Sequence, residues 1–379
     1  MFTPNFSSTP LGFYGRRAHT SLSYEEQFWA SKQPFLSAHG CLLRPRYRPG
    51  WKPSWTQDLE LDPDQCEDGQ TLQDAKYEEG HIDAICEDGR LVAIKRVASG
   101  SQELVTLTHL TRRDLLNDPN NHCVPILKHF KDREDRQLSY LVTPFLRLTN
   151  TFDLWCVNDI IEFVDDVMEG LAFMHARGVA HRNISLSTIL ADEAPLYPNG
   201  FHPVNRYRTP DYKYHAWYFL PYLRLSAPSR VRHYFTDFSR SVCQPRTPYI
   251  TNTQFSPDAA LPELTEAMYD PYKADVFCVG NLLRREFRDR YREAAFLTPL
   301  VREMIQVDPK ARPTAADALK RWRAMRRQIW WIQRLRPLSS GFMGFPERVI
   351  WTTVIWPICL FNMLVGLCVR GVVSKLSLR

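Results

Sequence analysis

The sequence has no CxxC pair and no His/Cys run with metal-ligand spacing; its nine cysteines (41, 66, 86, 123, 156, 243, 278, 359 and 368) are odd in number and scattered. This excludes a zinc-finger type of site and a disulfide-framed scaffold, and points to reduced thiols in a cytosolic domain. Internal repeats and low-complexity tracts are also lacking, which excludes solenoids, propellers and wholesale disorder. The N-terminus, MFTPNFSSTPLGFYGRRAHTS, lacks the sustained apolar core of a secretory signal, so the globular part is expected on the cytosolic side.

What is present is ordinary for a packed protein: 44% hydrophobic and 24% charged residues in 379. That length accommodates two lobes and an appendage. The formal charge of +6 is uneven, because basic residues crowd the stretch from Lys310 to Arg348. Such a block suits nucleic acid or an anionic membrane surface; the uncharged run that follows it favours the membrane, and no nucleic-acid partner is expected.

Residues 1–22, rich in Ser, Thr and Pro, read as a flexible start, and 23–73 as an extension strapped on a small lobe. Within the extension, LRPRYRPGWKPSW at 43–55 excludes a long helix, while its rings demand a packing surface. HIDAIC (81–86), a turn EDG (87–89) and RLVAIKRV (90–97) read as a hairpin. Between 157 and 175, Ile160, Phe163, Val164, Val167, Leu171 and Met174 recur at helical spacing and predict an amphipathic helix. Strands first and helices later predict an α+β fold of two unequal lobes, here 74–146 and 147–325.

Several short segments occur in a telling order: VAIK at 92–95, HRNISLSTIL at 181–190, TDFS at 236–239, LPE at 261–263, DVFCVG at 275–280 and DPKARPTA at 308–315. Together they resemble the signature set of the eukaryotic protein kinase superfamily. The flanking LRPRYRPGW, NHCVPIL (121–127), YPNGFHPV (197–204) and DPYKADVFCVGNLLR (270–284) are similar to a divergent kinase-domain family of basidiomycete fungi, over residues 23–325.

The resemblance implies a two-lobed protein kinase-like fold and a site for ATP and Mg²⁺. Lys95 would face the α and β phosphates, with Glu103 on the next helix holding it, although a gap of eight positions is short and Glu103 also reads as a solvated helix glutamate. Thr143 would gate the adenine pocket, followed by a hinge at Pro144, Phe145 and Leu146. Asp237 would bind the metal, with Thr188 as second metal ligand. Glu263 and Arg312 would form a buried structural ion pair, and Asp275 would accept backbone N–H bonds from the loop at His181 and Arg182.

The pattern breaks where proton transfer occurs. Asn183 stands where an active kinase carries its base Asp, Ser185 where a Lys is usual, and Thr188 replaces the metal-binding Asn. A neutral amide takes up no proton at physiological pH, and general-base help is worth about 10²–10⁴ in rate. Ser239 replaces the glycine of the metal-binding turn, and in LQDAKYEEG, where the phosphate-covering loop belongs, only Gly80 remains. An insertion at 193–232, rich in Tyr, Phe, Trp and Pro, reads either as a strap over the lobe or as an exposed recognition surface.

Residues 349–369 carry no charge, and a helix of that length matches a ~30 Å hydrocarbon core. This predicts a transmembrane helix after a basic juxtamembrane segment at 326–348, with a short tail at 370–379; the other reading is a buried helix closing the large lobe. The Lys/Arg bias makes the chain a single-pass, tail-anchored protein with its kinase-like domain cytosolic and 349–369 as its membrane contact. Two functions are expected: a membrane-tethered pseudokinase acting through a protein partner, or a low-activity Ser/Thr-type kinase transferring the ATP γ-phosphate.

Overall fold

The computed structural model describes residues 20–56, 61–72, 80–149, 154, 156–214, 227, 229–243, 250–251, 258–266, 268–338, 349, 353, 357 and 361. Two compact units divide the chain: Met1–Arg96 with Asn199–Leu220, and Val97–Pro198 with Pro221–Arg379.

In the first unit, α1 (Tyr24–Ala38) opens on a capping box. The Glu26 N–H donates to Ser23 Oγ at 3.3 Å, and the Ser23 N–H donates to Glu26 Oε2 at 2.8 Å. Two otherwise orphaned donors are thereby satisfied. Strand β1 (Cys41–Leu42) pairs antiparallel with β2 (His81–Cys86), which pairs with β3 (Leu91–Ala98); Cys41 lies opposite Cys86, and His81 opposite Lys95. The β2–β3 turn carries Gly89 at φ +82°, a conformation that L side chains disfavour.

The 43–55 segment packs through its arginines as much as its rings. Buried Arg46 pairs with buried Glu26 at 2.9 Å and stacks over Trp51, and Arg44 Nε reaches Asp83 Oδ2 at 2.9 Å. These pairs tie the extension to α1 and β2. Residues 199–214 of the insertion belong to this unit as well: buried His202 lies 3.4 Å from Glu67 Oε1.

In the second unit, α2 (Gln102–Leu110) and α3 (Arg113–Leu116) precede an antiparallel hairpin of β4 (Lys128–Lys131) and β5 (Leu138–Pro144). Strand β6 (Arg147–Leu148) leads to α4 (Val157–Ala176), β7 (Val179–Ala180), β8 (Ile189–Asp192), β9 (Arg232–Phe235) and β10 (Val242–Cys243). Strands β6, β8 and β9 form one antiparallel ladder, and β7 pairs with β10. After β11 (Ile250–Thr251) and its partner β12 (Met268–Tyr269) come α5 (Pro271–Leu283), α6 (Thr298–Met304), α7 (Ala315–Gln328) and α8 (Trp331–Arg334).

Helix α4 is the centre of the core. Ile160, Phe163, Val164, Val167, Leu171 and Met174 are all buried, as their spacing predicts. At Gly170 the helix presses so close to β9 that an added Cβ would lie 2.8 Å from Phe235 Cε2 and 2.8 Å from His122 Cβ. Helix α7 closes the core with Trp322, whose indole N–H donates to Asp165 Oδ1 at 2.8 Å. The fold is α+β with antiparallel sheet.

The transmembrane part of the expected fold is corrected. Among the described residues no helix is long and apolar enough to cross a membrane, so the helix at 349–369, the single-pass tail-anchored localisation and the membrane contact through that segment are not supported. All but four of those positions lie outside the described residues. Helix α4 has the length to span, at 20 residues, but carries Asp159, Glu162, Asp165, Asp166 and Glu169, each of which opposes transfer into hydrocarbon. Absence of charge over a run of sequence is necessary for a spanning helix and does not by itself produce one. Of the sequence expectations, the flexible start up to 19, the tail at 370–379 and most of the expected phosphate-covering loop, 73–79, also lie outside the described residues.

Candidate functional site

The loop from His181 to Thr188 leaves β7 and enters β8, and buried Asp275 on α5 holds its start. One carboxylate oxygen accepts the His181 N–H at 2.7 Å, and the other accepts the Arg182 N–H at 2.8 Å. His175 Nε2 lies 3.1 Å from the first of these oxygens. An anchored backbone lets Arg182 keep a left-handed φ of 63°, a conformation that costs a non-glycine residue energy unless its surroundings enforce it. The Arg182 side chain is held in turn: Nε donates to the Tyr269 hydroxyl at 2.8 Å, and Nη1 to the Arg240 carbonyl at 3.3 Å.

His181 is fully buried, and burial pushes its imidazole below the ordinary histidine range, against the pull of Asp275. The ring is therefore neutral at pH 7. Its two contacts assign the tautomer, since the Asn183 N–H donates to Nδ1 at 3.2 Å while Nε2 faces the Thr236 carbonyl at 3.0 Å and must carry the hydrogen. The imidazole thus joins the backbone of the 181–188 loop to the strand end that precedes Asp237.

Asn183 is buried, and its side-chain amide donates to Asp237 Oδ2 at 2.6 Å. The direction is fixed by chemistry, because an ionised carboxylate only accepts. Asp237 itself sits in left-handed backbone, φ 57° and ψ 70°, at the start of the 3₁₀ turn Phe238–Arg240. Phe238 is fully buried against the His181 ring, with centroids 4.7 Å apart, and that packing holds the turn. Ser239, in the same turn, is exposed.

Thr188 turns its hydroxyl inward. Oγ1 lies 2.6 Å from the Asn183 carbonyl and 3.1 Å from that of Ser185, and it accepts the Ser185 N–H at 3.0 Å. Ser185 Oγ pairs with Ser187 Oγ at 2.8 Å on the exposed side of the loop. The structural ion pair is a two-point contact: Arg312 Nη1 donates to Glu263 Oε1 at 2.6 Å, and Nη2 to Oε2 at 2.8 Å, with both side chains buried. Arg312 also donates to the Gln306 carbonyl at 2.7 Å, so the desolvated guanidinium is well satisfied.

Glu103 lies in the first turn of α2 and is buried rather than solvated. Half-buried Thr143 and buried Phe145 lie at the end of β5 and just beyond it. Lys95 is half-buried on β3 of the first unit. Gly80, the one glycine left in the expected phosphate loop, donates its N–H to Glu25 Oε1 at 3.1 Å. That donor is therefore already committed to a carboxylate.

A divalent cation of the Mg²⁺ type needs several hard oxygen ligands. The donors present fit one poorly: Asp237 Oδ2 accepts from an amide, and the Thr188 hydroxyl is directed at backbone carbonyls. Among the described residues no group of three or more His, Cys, Asp or Glu side chains could hold a metal ion. The anchors Tyr269 and His175 escaped sequence reasoning. Each is an ordinary residue type far along the chain from its partner, and only packing reveals it. No protein-family model matches the chain, and no curated protein matches it.

Proposed function

We propose that this chain is a pseudokinase: a kinase-like scaffold that transfers no phosphate at a useful rate and acts through contacts with a protein partner. The observation that carries this reading is the 2.6 Å hydrogen bond from Asn183 to Asp237. The residue in the base position has no lone pair basic enough to accept a hydroxyl proton, and its amide engages the carboxylate that a catalytic metal would require. The anchoring around it supports a scaffold role, since Asp275 and the Glu263–Arg312 pair hold the loop and the lobe without taking part in chemistry.

The test is phosphotransfer by the full chain with labelled ATP and Mg²⁺, beside Lys95→Ala. The expected result is no transfer above background in either protein. Transfer by the parent that Lys95→Ala abolishes would overturn the proposal in favour of a low-activity Ser/Thr-type kinase. Thermal melting with ATP, with and without Mg²⁺, adds a readout independent of turnover: ATP held without chemistry stabilises the chain and leaves the nucleotide intact.

A further inference from the structure

The basic stretch noted in the sequence contains seven Lys or Arg residues between Lys320 and Arg336, and no carboxylate from Ala318 to Pro346. Its two ends behave differently. On α7, Trp322 is buried in the core, and the cations beside it are tied to neighbouring helices: Arg323 to Glu169 at 2.9 Å, Arg326 to Asp165 at 3.1 Å and Arg321 to Glu303 at 3.1 Å. Beyond Gln328 the chain turns into α8, where Trp330, Trp331 and Ile332 stand 72%, 68% and 57% exposed. Arg334 braces this turn by donating to the carbonyls of Ile329 and Arg326, both at 3.3 Å. Arg327 and Arg336, on either side, are exposed.

Single exposed apolar residues are ordinary, but three in succession on a braced turn, rimmed by one sign of charge, mark a contact surface. We propose that Trp330, Trp331 and Ile332, with Arg327 and Arg336, dock the chain on anionic lipid headgroups, lying on the surface without crossing it. Charge complementarity selects the occupant. Arg327 and Arg336, exposed in a stretch with no carboxylate from Ala318 to Pro346, match a uniformly negative plane, where each guanidinium is attracted independently. Indoles favour the headgroup level, and Ile332 gains by entering the acyl boundary. Nucleic acid would use the indoles for stacking but has no use for an exposed aliphatic side chain beside them. The core of a protein interface is depleted of charge as a whole, whereas exposed Arg327 and Arg336 flank the rings here.

The experiment is co-sedimentation of the full chain with vesicles of phosphatidylcholine alone and of phosphatidylcholine with about one third phosphatidylserine. The expected result is at least about tenfold stronger binding to the anionic vesicles, weakening as salt rises. Trp330→Ser with Trp331→Ser, and separately Arg327→Glu with Arg336→Glu, should each reduce that binding about tenfold at unchanged melting temperature. Any contribution from the apolar run at 349–369 is common to parent and variants, so the difference between them reports α8 and its flanks. Equal binding to both vesicle types, or variants that bind as the parent does, would overturn the proposal. So would retention on single-stranded RNA or an acidic polypeptide, but not on vesicles, that the same substitutions abolish.

Discussion

Asn183 and Asp237, 54 positions apart in the chain, meet through a 2.6 Å hydrogen bond from amide to carboxylate. The bond satisfies a buried amide and sets Asp237 Oδ2 facing its own loop. Anything that alters either partner disturbs the site from the inside.

Asn183→Asp would place two carboxylates where one now receives a donor, and two like charges at that separation cannot both ionise cheaply. A loss of about 1–3 kcal/mol at pH 7 is expected. Millimolar Mg²⁺ or Mn²⁺ should recover part of it, because the second carboxylate creates a cation site. Urea denaturation with and without the cation measures both effects. A parent protein that gains as much from the cation as the variant does would contradict the committed state of Asp237.

Glu263→Gln leaves the buried Arg312 charge uncompensated, and removing one partner of such a pair typically costs about 3–5 kcal/mol. Replacing both, as Glu263→Met with Arg312→Leu, should be the milder change, since no charge is then stranded. Denaturation midpoints of the single and double variants decide the order. A double variant worse than the single would mean that the remaining Arg312 contacts to backbone carbonyls dominate.

Gly170→Ala tests the close approach of α4 and β9. The new methyl group would press on Phe235 and His122, each 2.8 Å away, so overpacking of about 1–3 kcal/mol outweighs the gain in helix propensity. A melting temperature equal to or above that of the parent would show that helix and strand can separate without penalty.

The buried His181 gives a pH dependence of definite sign. Its folded pKa lies below the ordinary 6.5, so on acidification the unfolded chain takes up the proton first. The stability it contributes is full above about pH 6.5 and is lost as pH falls through the folded pKa. Histidine NMR of the folded protein should show the ring titrating below 6.5. A ring that titrates at or above 6.5 would remove this contribution.

Near Asp166 the chain holds a second polar cluster. Asp166 is buried and accepts the His233 N–H and faces His233 Nδ1, both at 2.9 Å, and pairs with Arg230. Burial opposes its ionisation, but the bond from His233 and the Arg230 guanidinium outweigh that and hold its pKa low. Asp165 and Glu162, beside it on the same helix, look alike in sequence. Alternation and helical spacing identify the face a residue occupies; they do not say which acid meets a histidine from a strand 67 positions away.

The sequence by itself determined what depends on neighbours along the chain. The period of apolar residues placed α4, and the apolar alternation around Gly89 placed the hairpin. It did not determine whether an uncharged run forms a spanning helix, since composition permits an insertion that the described helices do not provide. Tertiary structure alone decided that Asn183 turns to Asp237, that Tyr269 restrains Arg182 and that residues 199–214 of the insertion pack with the first unit. A hydrogen bond exists or fails within tenths of an ångström, and only the folding together of distant segments sets positions that finely.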